Sequence, residues 1–291
     1  MDGEKILEQA IIFIENNLYE PITACNVAHA VSYSYYHFHR YFHAMMGETI
    51  GEYIRSRRLT EAAKLLLYSE KKILDIAVSL HFQSHEAFTR AFKNRYDVTP
   101  KQYRKNRINT LIGNKPQLDV IELVHRQSKI TLTPEIIMVP SKTIMGIRFE
   151  TSVANNQSSA QWENFNNQLA KMKNIASNSN RYGFFEVNNS CEAKVFNEDS
   201  VTTEFIGIEV DKDSIVPSNM LIKEFPGGKY AKFIHTGTVN TLYMTYRYIW
   251  GTWFPSSNNQ LDMRDDFECY TERFLGVKND KSQIDIYFPI M

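Results

Sequence analysis

Arg40 and Arg90 occupy matching places in a segment that occurs twice. Arginine is a side chain that can grip a guanine edge through two hydrogen bonds. The copies read Phe38-His39-Arg40-Tyr41-Phe42 and Phe88-Thr89-Arg90-Ala91-Phe92. At a constant offset of 50 residues, Phe38/Phe88, Arg40/Arg90, Phe42/Phe92, Thr49/Thr99, Tyr53/Tyr103 and Arg57/Arg107 are identical. Upstream the offset falls to 49, pairing Val27-Ala28-x-x-Val31 with Ile76-Ala77-x-x-Leu80, and the missing residue falls where a turn would sit. Two copies are too few for a solenoid. Two short helix-turn-helix units in tandem are what a chain needs to reach two adjacent DNA major grooves. The alternative is that one or both arginines only tie their module to an acidic neighbour.

A second chemical signal lies far downstream, in Phe267-Glu268-Cys269-Tyr270. Strand alternation puts Phe267 and Cys269 on one face, Glu268 and Tyr270 on the other. The simpler reading of the pattern is a solvated glutamate on an exposed strand face. The chemical reading is a carboxylate at the floor of an aromatic cavity, where a cation would also be attracted to ring faces. Other constellations are weaker. His37, His39 and His43 form H-x-H-x3-H, and His81 and His85 form H-x3-H. A histidine pair four apart can bind zinc, but no third carboxylate or thiolate is fixed nearby, so no metal is expected. Nothing forms a Ser-His-Asp or Cys-His set; His235, at a strand end, reads as structural. Gly227-Gly228 lacks the helix and Lys-Ser/Thr of a phosphate loop and reads as a hairpin turn.

The elements that must position these groups fall into two domains, which the 291-residue length also suggests. Residues 1–110 hold 15 Lys/Arg against 12 Asp/Glu, a net of +3, and the remainder holds 18 against 21, a net of −3. That tilt permits nucleic-acid binding at the front and disfavours it at the back. Three widely spaced cysteines (Cys25, Cys191, Cys269) give neither a disulfide framework nor a zinc pattern. The first 19 residues read as an amphipathic helix, not a signal peptide, and no apolar run reaches membrane length. The expected compartment is the cytoplasm, with no membrane partner.

Ile6, Leu7, Ala10, Ile11, Phe13, Ile14 and Leu18 trace a helical stripe ended by Pro21. Short helices are expected over Thr23–Ala30, with Thr23 as N-cap, and from Ser32 or Ser34 to about Met45. A long helix over Ile54–Tyr68 carries Arg55, Arg57 and Arg58 at its start, against the helix dipole. Surface solvation could hide that cost, or the arginines could meet phosphates. The second module spans Ile73–Leu80, Ser84–Arg95 and a helix from Pro100. Gly113, Asn114 and Pro116 mark a linker, with a short helix over Leu118–His125. Later come strands at Ile136–Phe149 (interrupted at Pro140-Ser141), Tyr182–Val187, Glu204–Val210, Met220–Phe225, Lys229–His235, Phe267–Thr271 and Gln283–Ile290. Helices are expected around Trp162–Met172 and at Val239–Trp250. The order β-α-β-β, β-α-β-β hints at a duplicated α+β unit.

The string Ile73-Leu-Asp-Ile-Ala-x4-Phe82-x-Ser84-x3-Phe88-x-Arg90-x-Phe92-Lys93-x5-Thr99-Pro100-x2-Tyr103-Arg104 resembles the signature of AraC/XylS-type transcription regulators, over about residues 4–107. His81 and Asp97 stand where that family usually has glycine, at turn positions that favour positive φ. The resemblance implies two DNA-recognition helices joined by the long helix. The first would be about Ser34–His43, with Tyr36, His39 and Arg40 closest to bases. The second would be about Ser84–Asn94, with His85, Glu86, Thr89 and Arg90 near DNA; Ser34, Tyr35, Arg57, Arg58, Ser84 and Lys93 complete the expected contact set. Glutamate can accept from cytosine, and Tyr or Thr can touch a thymine methyl or a phosphate. Equivalent arginines suit two half-sites about one turn, roughly 34 Å, apart.

Residues from about 132 to 291 are similar to the GyrI-like ligand-binding domain. The matching pieces are Phe225-Pro226-Gly227-Gly228-Lys229-Tyr230-Ala231, Trp253-Phe254-Pro255-Ser256, Phe267-Glu268-x-Tyr270 and Ile284-x-Ile286-x-Phe288-Pro289-Ile290. This resemblance implies Glu268 as effector carboxylate, walled by Trp162, Tyr182, Phe184, Trp250, Trp253 and Tyr270. The expectation is therefore an α + α/β two-domain chain. Residues 1–110 form an all-α tandem helix-turn-helix DNA-binding domain, 111–131 a linker, and 132–291 an α+β GyrI-like domain of duplicated βαββ. It would be a DNA-binding activator, not an enzyme and without a cofactor. Its partners would be promoter DNA, RNA polymerase and a hydrophobic, cationic small-molecule effector, and its state a monomer or weak homodimer. The competing readings are a hydrolase using Glu268 and Tyr270, or a ligand-sequestering module.

Overall fold

The computed structural model describes residues 3–107, 114–152, 154–172, 180–186, 200–212 and 214–291. They divide into two compact units. The first is helical and takes in residues up to Ser128 together with Tyr243–Asn258; the second is built on a β-sheet.

In the helical unit, α1 (Gly3–Asn16) buries Ile6, Leu7, Ala10, Ile11 and Ile14. The two repeats follow. α2 (Ala24–Ala30) starts at a capping box on Thr23, and α3 (Tyr35–Met46) at Ser34, whose side chain accepts from the His37 amide. α4 (Ile50–Tyr68) starts at a capping box of Thr49 and Glu52. α5 (Ile73–Ser79), α6 (His85–Tyr96) with Ser84 as N-cap, and α7 (Pro100–Lys105) with Thr99 as N-cap repeat the arrangement. Each cap satisfies an amide that the helix leaves without a partner. The turns match as well. Ser32 and His81 have φ of 58° and 57°, and Gly47 and Asp97 end α3 and α6 at 71° and 57°. His81 tolerates its left-handed conformation while its Nε2 donates to the Tyr19 carbonyl at 2.7 Å.

Each repeat has its own core. Phe38, Phe42, Ile50 and Tyr53 pack with α1, and Phe88, Phe92 and Tyr103 pack with Leu59, Ala62 and Leu66. α4 thus serves the first core with its beginning and the second with its end. It begins at Ile50, a full turn before the expected Ile54, so Arg55, Arg57 and Arg58 lie inside the helix and not at its charged end. Within the stretch expected as a linker, 114–128 contributes α8 (Val120–Ser128) and sends Leu118 and Leu123 into the first core.

Among the described residues the second unit holds eight strands: β1 (Glu135–Val139), β2 (Lys142–Thr151), β3 (Arg181–Glu186), β4 (Thr202–Glu209), β5 (Leu221–Phe225), β6 (Gly228–Thr236), β7 (Asp266–Tyr270) and β8 (Gln283–Pro289). All neighbours are antiparallel, in the order β1-β6-β8-β7-β3-β4-β2-β5. Exchanging β1 with β5, β2 with β6, β3 with β7 and β4 with β8 reverses this order without altering it. The duplication is therefore a two-fold relation whose centre is the Gly183–Glu268 pair in the middle of the β3–β7 ladder. Helix α9 (Ser158–Leu169) follows β2 and covers one face through Phe165 and Leu169, packed with Met145, Ile206 and Ile208. The opposite face is aromatic: Tyr182, Phe184, Phe205, Phe225, Tyr230 and Phe267.

Gly227-Gly228 is not a hairpin turn, because β5 pairs with β2 and β6 with β1 and β8. Val139 faces Gly228 and Lys142 faces Phe225, so the alignment runs unbroken through Pro140-Ser141 opposite Pro226-Gly227. β1–β2 and β5–β6 are two long strands kinked at the same level. At Gly227 φ is +71°, and a Cβ would collide with the Val139 carbonyl. Arg264 staples the kink, donating to the carbonyls of Gly227 (2.8 Å) and Lys229 (3.0 Å).

The helix expected over Val239–Trp250 is segmented. A 3-10 turn (Val239–Thr241) leads into α10 (Leu242–Tyr248), then a π-helical turn (Ile249–Trp253) and a last helical turn, Phe254–Ser256.

Candidate nucleic-acid interface and effector site

On α3 the apolar face (Phe38, Phe42, Met46) is buried, which leaves Tyr35, Tyr36, Arg40 and His43 exposed and His39 half-buried. Tyr36, Arg40 and His43 follow one another at helical spacing, and the Arg40 guanidinium lies 5.6 Å over the Tyr36 ring. On α6 the buried set is Phe88, Ala91, Phe92 and Tyr96, and His85, Glu86, Arg90 and Lys93 are exposed. Hydrogen bonds from its own amide and from Ser84 hold the Glu86 carboxyl below the usual range. Thr89 is half-buried, with its hydroxyl enclosed and unbonded. Ser34 and Ser84 are caps first: their hydroxyls already accept from the amides of His37 and Ala87. The repeat therefore presents two amphipathic helices whose exposed faces carry Arg40 and Arg90 at equivalent places.

Arg57 and Arg58 must be reassigned. They are 4% and 9% exposed. Arg57 forms a two-pronged bond to Glu15 (Nε–Oε1 and Nη2–Oε2, both 2.7 Å) and donates to the Lys115 carbonyl at 2.7 Å. Arg58 donates to the carbonyls of Leu18 (2.9 Å) and Glu20 (2.6 Å). Both hold α4 to the end of α1, and their guanidinium groups are taken up by partners within the helical unit. Sequence reasoning also missed a buried cluster in this unit. Lys115 pairs with Glu48 and donates to Thr252 Oγ1 at 2.7 Å, while Arg126 donates to the Met46 carbonyl and Thr252 Oγ1, both at 3.2 Å. Burial pulls Lys115 down to about 7, since Glu48 is shared with Arg126, whose own charge opposes a second cation. Nothing local signals this cluster, because its members come from segments distant in sequence.

In the sheet unit Glu268 is 6% exposed and accepts from the Tyr270 hydroxyl. Trp162 of α9 meets the Tyr270 ring edge-on, with centroids 5.1 Å apart, and rests on Gly183, where an added Cβ would come within 3.3 Å of its ring. On the same face Glu204 accepts from Ser158 Oγ at 2.9 Å, and burial, aided by Glu268, raises it to about 7. Burial likewise pushes Asp266 up to about 8, helped by Asp265, Glu268 and Glu204. The face beside α9 is thus acidic and aromatic, and its carboxyls are costly to ionise without a cation. Tyr182 and Phe184 do not wall it. Tyr182 pairs with Cys269 and Phe184 with Phe267, so both project to the opposite face, into the aromatic core. Trp250 and Trp253 fall in the helical unit. Trp162, Glu268 and Tyr270 are the expected site residues that come together. Among the described residues no group of three or more His, Cys, Asp or Glu is placed to share a metal ion, and no helix is long and apolar enough to cross a membrane.

Comparison with known proteins matches residues 135–290 to the integron-associated effector binding protein family and residues 27–106 to the helix-turn-helix domain family. The chain belongs to the AraC-type regulators that carry this effector-binding domain. Relatives align with nearly all of it or with a part of it. The Right origin-binding protein of Escherichia coli (strain K12) is 28% identical over 273 residues, 93% of this chain and 91% of that protein. The putative HTH-type transcriptional regulator YkgA of the same organism is 34% identical over 178 residues, 60% of this chain and 72% of that protein. A third, the HTH-type transcriptional regulator YbfP of Bacillus subtilis (strain 168), is 44% identical over 101 residues. That match covers 35% of this chain and 34% of YbfP. The AraC-type and effector-binding matches fall on the tandem repeat and on the eight-stranded sheet, so both halves of the expected architecture are present.

Proposed function

We propose that this AraC-type regulator reads a promoter element with α3 and α6 in successive major grooves, and that a hydrophobic cation bound at Glu268 modulates it. The observation that carries the DNA reading is the matched exposure of Arg40 and Arg90 on two equivalently capped helices. Tyr35, Tyr36, His39, His85, Glu86, Thr89 and Lys93 complete the reading surface, and Ser34 and Ser84 set the helix starts. The working assignment keeps DNA reading in 1–110 and ligand reading in 132–291, with residues 114–128 and 243–258 serving the helical unit as packing. The effector reading rests on Glu268 and Tyr270 beneath Trp162. A ligand can regulate only by binding two functional states with different affinity. Activation through RNA polymerase follows from the family and is part of the proposal, as is a role in regulation and not in catalysis.

Selection from a random DNA pool by the full-length protein tests the first part. Arg40→Ala and Arg90→Ala should each lose about 1–3 kcal/mol on the selected site and relax base preference there. Equal losses on selected and random DNA would remove the base-contact assignment. For the second part, tetraphenylphosphonium serves as a hydrophobic monocation. Glu268→Gln should weaken its binding by about tenfold or more, and unchanged binding would place the effector elsewhere.

A further inference from the structure

In chain order Tyr243–Asn258 belongs to the second half of the duplicated sheet unit, between β6 and β7, yet it clusters with the DNA-reading helices. There it packs on α8, through His125–Thr245 (3.0 Å) and Glu122–Arg247 (2.7 Å), and it also reaches the ends of both recognition helices. At the end of α3, Gly47 lies so close to the Tyr248 hydroxyl that any Cβ would collide with it. Arg126 bridges the same end to the segment Tyr243–Asn258, here called the strap: it donates to the Met46 carbonyl and to Thr252 Oγ1, and its guanidinium lies 5.1 Å over the Tyr248 ring. In the last turn of α6, Arg95 donates through Nη2 to the Gly251 carbonyl (3.2 Å) and through Nη1 to Ser56 Oγ of α4 (3.0 Å). Gly251 and Thr252 both sit in the π-helical turn Ile249–Trp253. Such turns are rare, and they recur where function demands the distortion.

The two recognition helices pack in separate cores, and within the repeat α4 alone passes from one core to the other. Long helices are rarely straight and curve gently, so one connecting helix leaves the angle between the cores loosely set. A second tie, made at the C-terminal ends of both recognition helices, closes the frame and fixes the angle and distance between the reading heads. We propose that the π-helical turn Ile249–Trp253 is a spacing gauge: with Arg95, Arg126 and Thr252 as positioning residues, it sets which separation of DNA half-sites the regulator accepts. Because the strap is the chain between β6 and β7, and β7 carries Glu268, the ligand-reading strand and the gauge are consecutive in the chain.

The test uses the full-length protein and a duplex selected by the wild type. Companion duplexes have one base pair added or removed between half-sites, and a further duplex keeps one half-site with the other scrambled. Half-site spacing is a geometric property of the two reading heads. Wild type is expected to lose about tenfold or more on the respaced duplexes. Arg95→Met should cut that penalty to about threefold while holding single-half-site affinity within about twofold, and Arg95→Lys should restore part of it. Thr252→Val, which keeps side-chain volume, should act in the same direction and carries the test if Arg95→Met does not fold. Undiminished spacing discrimination in the folded variants would overturn the inference. So would an equal loss on every duplex, the single half-site included, since that marks plain destabilisation.

Discussion

Arg57→Ala is expected to destabilise the helical unit and to leave its grip on DNA phosphates untouched. The guanidinium makes two 2.7 Å bonds to Glu15 and one to the Lys115 carbonyl, and the two side chains are 5% and 9% exposed. An intact pair at such depth adds little net stability, because desolvation offsets attraction. Breaking it strands Glu15 with, among the described residues, the Tyr53 hydroxyl (3.1 Å) as its one remaining side-chain donor, and such losses cost about 3–5 kcal/mol. For a helical unit of this size that is a fall of roughly 10–20 °C in melting temperature. DNA affinity measured by fluorescence anisotropy between 50 and 200 mM salt gives the second quantity. Each phosphate contact contributes about 0.9 to the slope of log K against log salt, so a residue that touches none should leave the slope unchanged. A slope lowered by about one, with melting unaffected, would refute the structural role and return Arg57 to the DNA surface.

Three further outcomes follow from the geometry. Burial holds folded Lys115 at about 7 against the ordinary lysine value of 10.5 in the unfolded chain, so between these pH values the unfolded chain binds the extra proton and stability rises with pH. Relative to Lys115→Met, wild type should therefore gain about 1.4 kcal/mol per pH unit from about 7 towards about 10, read from denaturant melts; a pH-independent difference would mean that the buried lysine keeps its proton and would contradict the lowered value. Glu204 and Asp266 are raised to about 7 and 8, so binding of tetraphenylphosphonium should strengthen as pH rises through that window and these carboxyls ionise; a flat profile would separate them from the ligand. Gly227→Ala should cost the sheet unit about 1–3 kcal/mol by calorimetry, through its positive φ and the Val139 carbonyl, and an unchanged transition would contradict the kinked ribbon.

What the sequence made legible was local or repeated. The offset of 50 residues aligned both modules, and Thr23 and Ser34 cap their helices as expected because a hydroxyl needs only the amide three residues on; the same device at Thr49, which starts α4 a turn early, went unread. Positive φ at His81 and Asp97 was implied by the resemblance, since the family usually has glycine at both places. What stayed hidden was tertiary. Arg57 looks like a surface cation until Glu15, 42 residues away, is folded beside it. Gly-Gly between two strands gives the same local signal for a hairpin and for a kink, and the choice depends on β1 and β2 far upstream. Parity within β3 places Tyr182 with Phe184, but only the pairing of Gly183 with Glu268 reveals that the sheet separates them from the carboxylate.

The kinked ribbon has a consequence for how the sheet unit can be divided. β1 belongs to the first half of the duplication but pairs with β6 of the second, while β5 of the second half pairs with β2 of the first. Each half lends its leading strand to the other, an exchange of arms inside one chain. Neither half can complete its own edge, so a fragment ending after β4 would expose the β2 edge that β5 covers, and would present β1 as an unanswered strand. The same exchange lets two separately expressed halves, cut between β4 and β5, rebuild the sheet when mixed, each supplying the strand the other lacks.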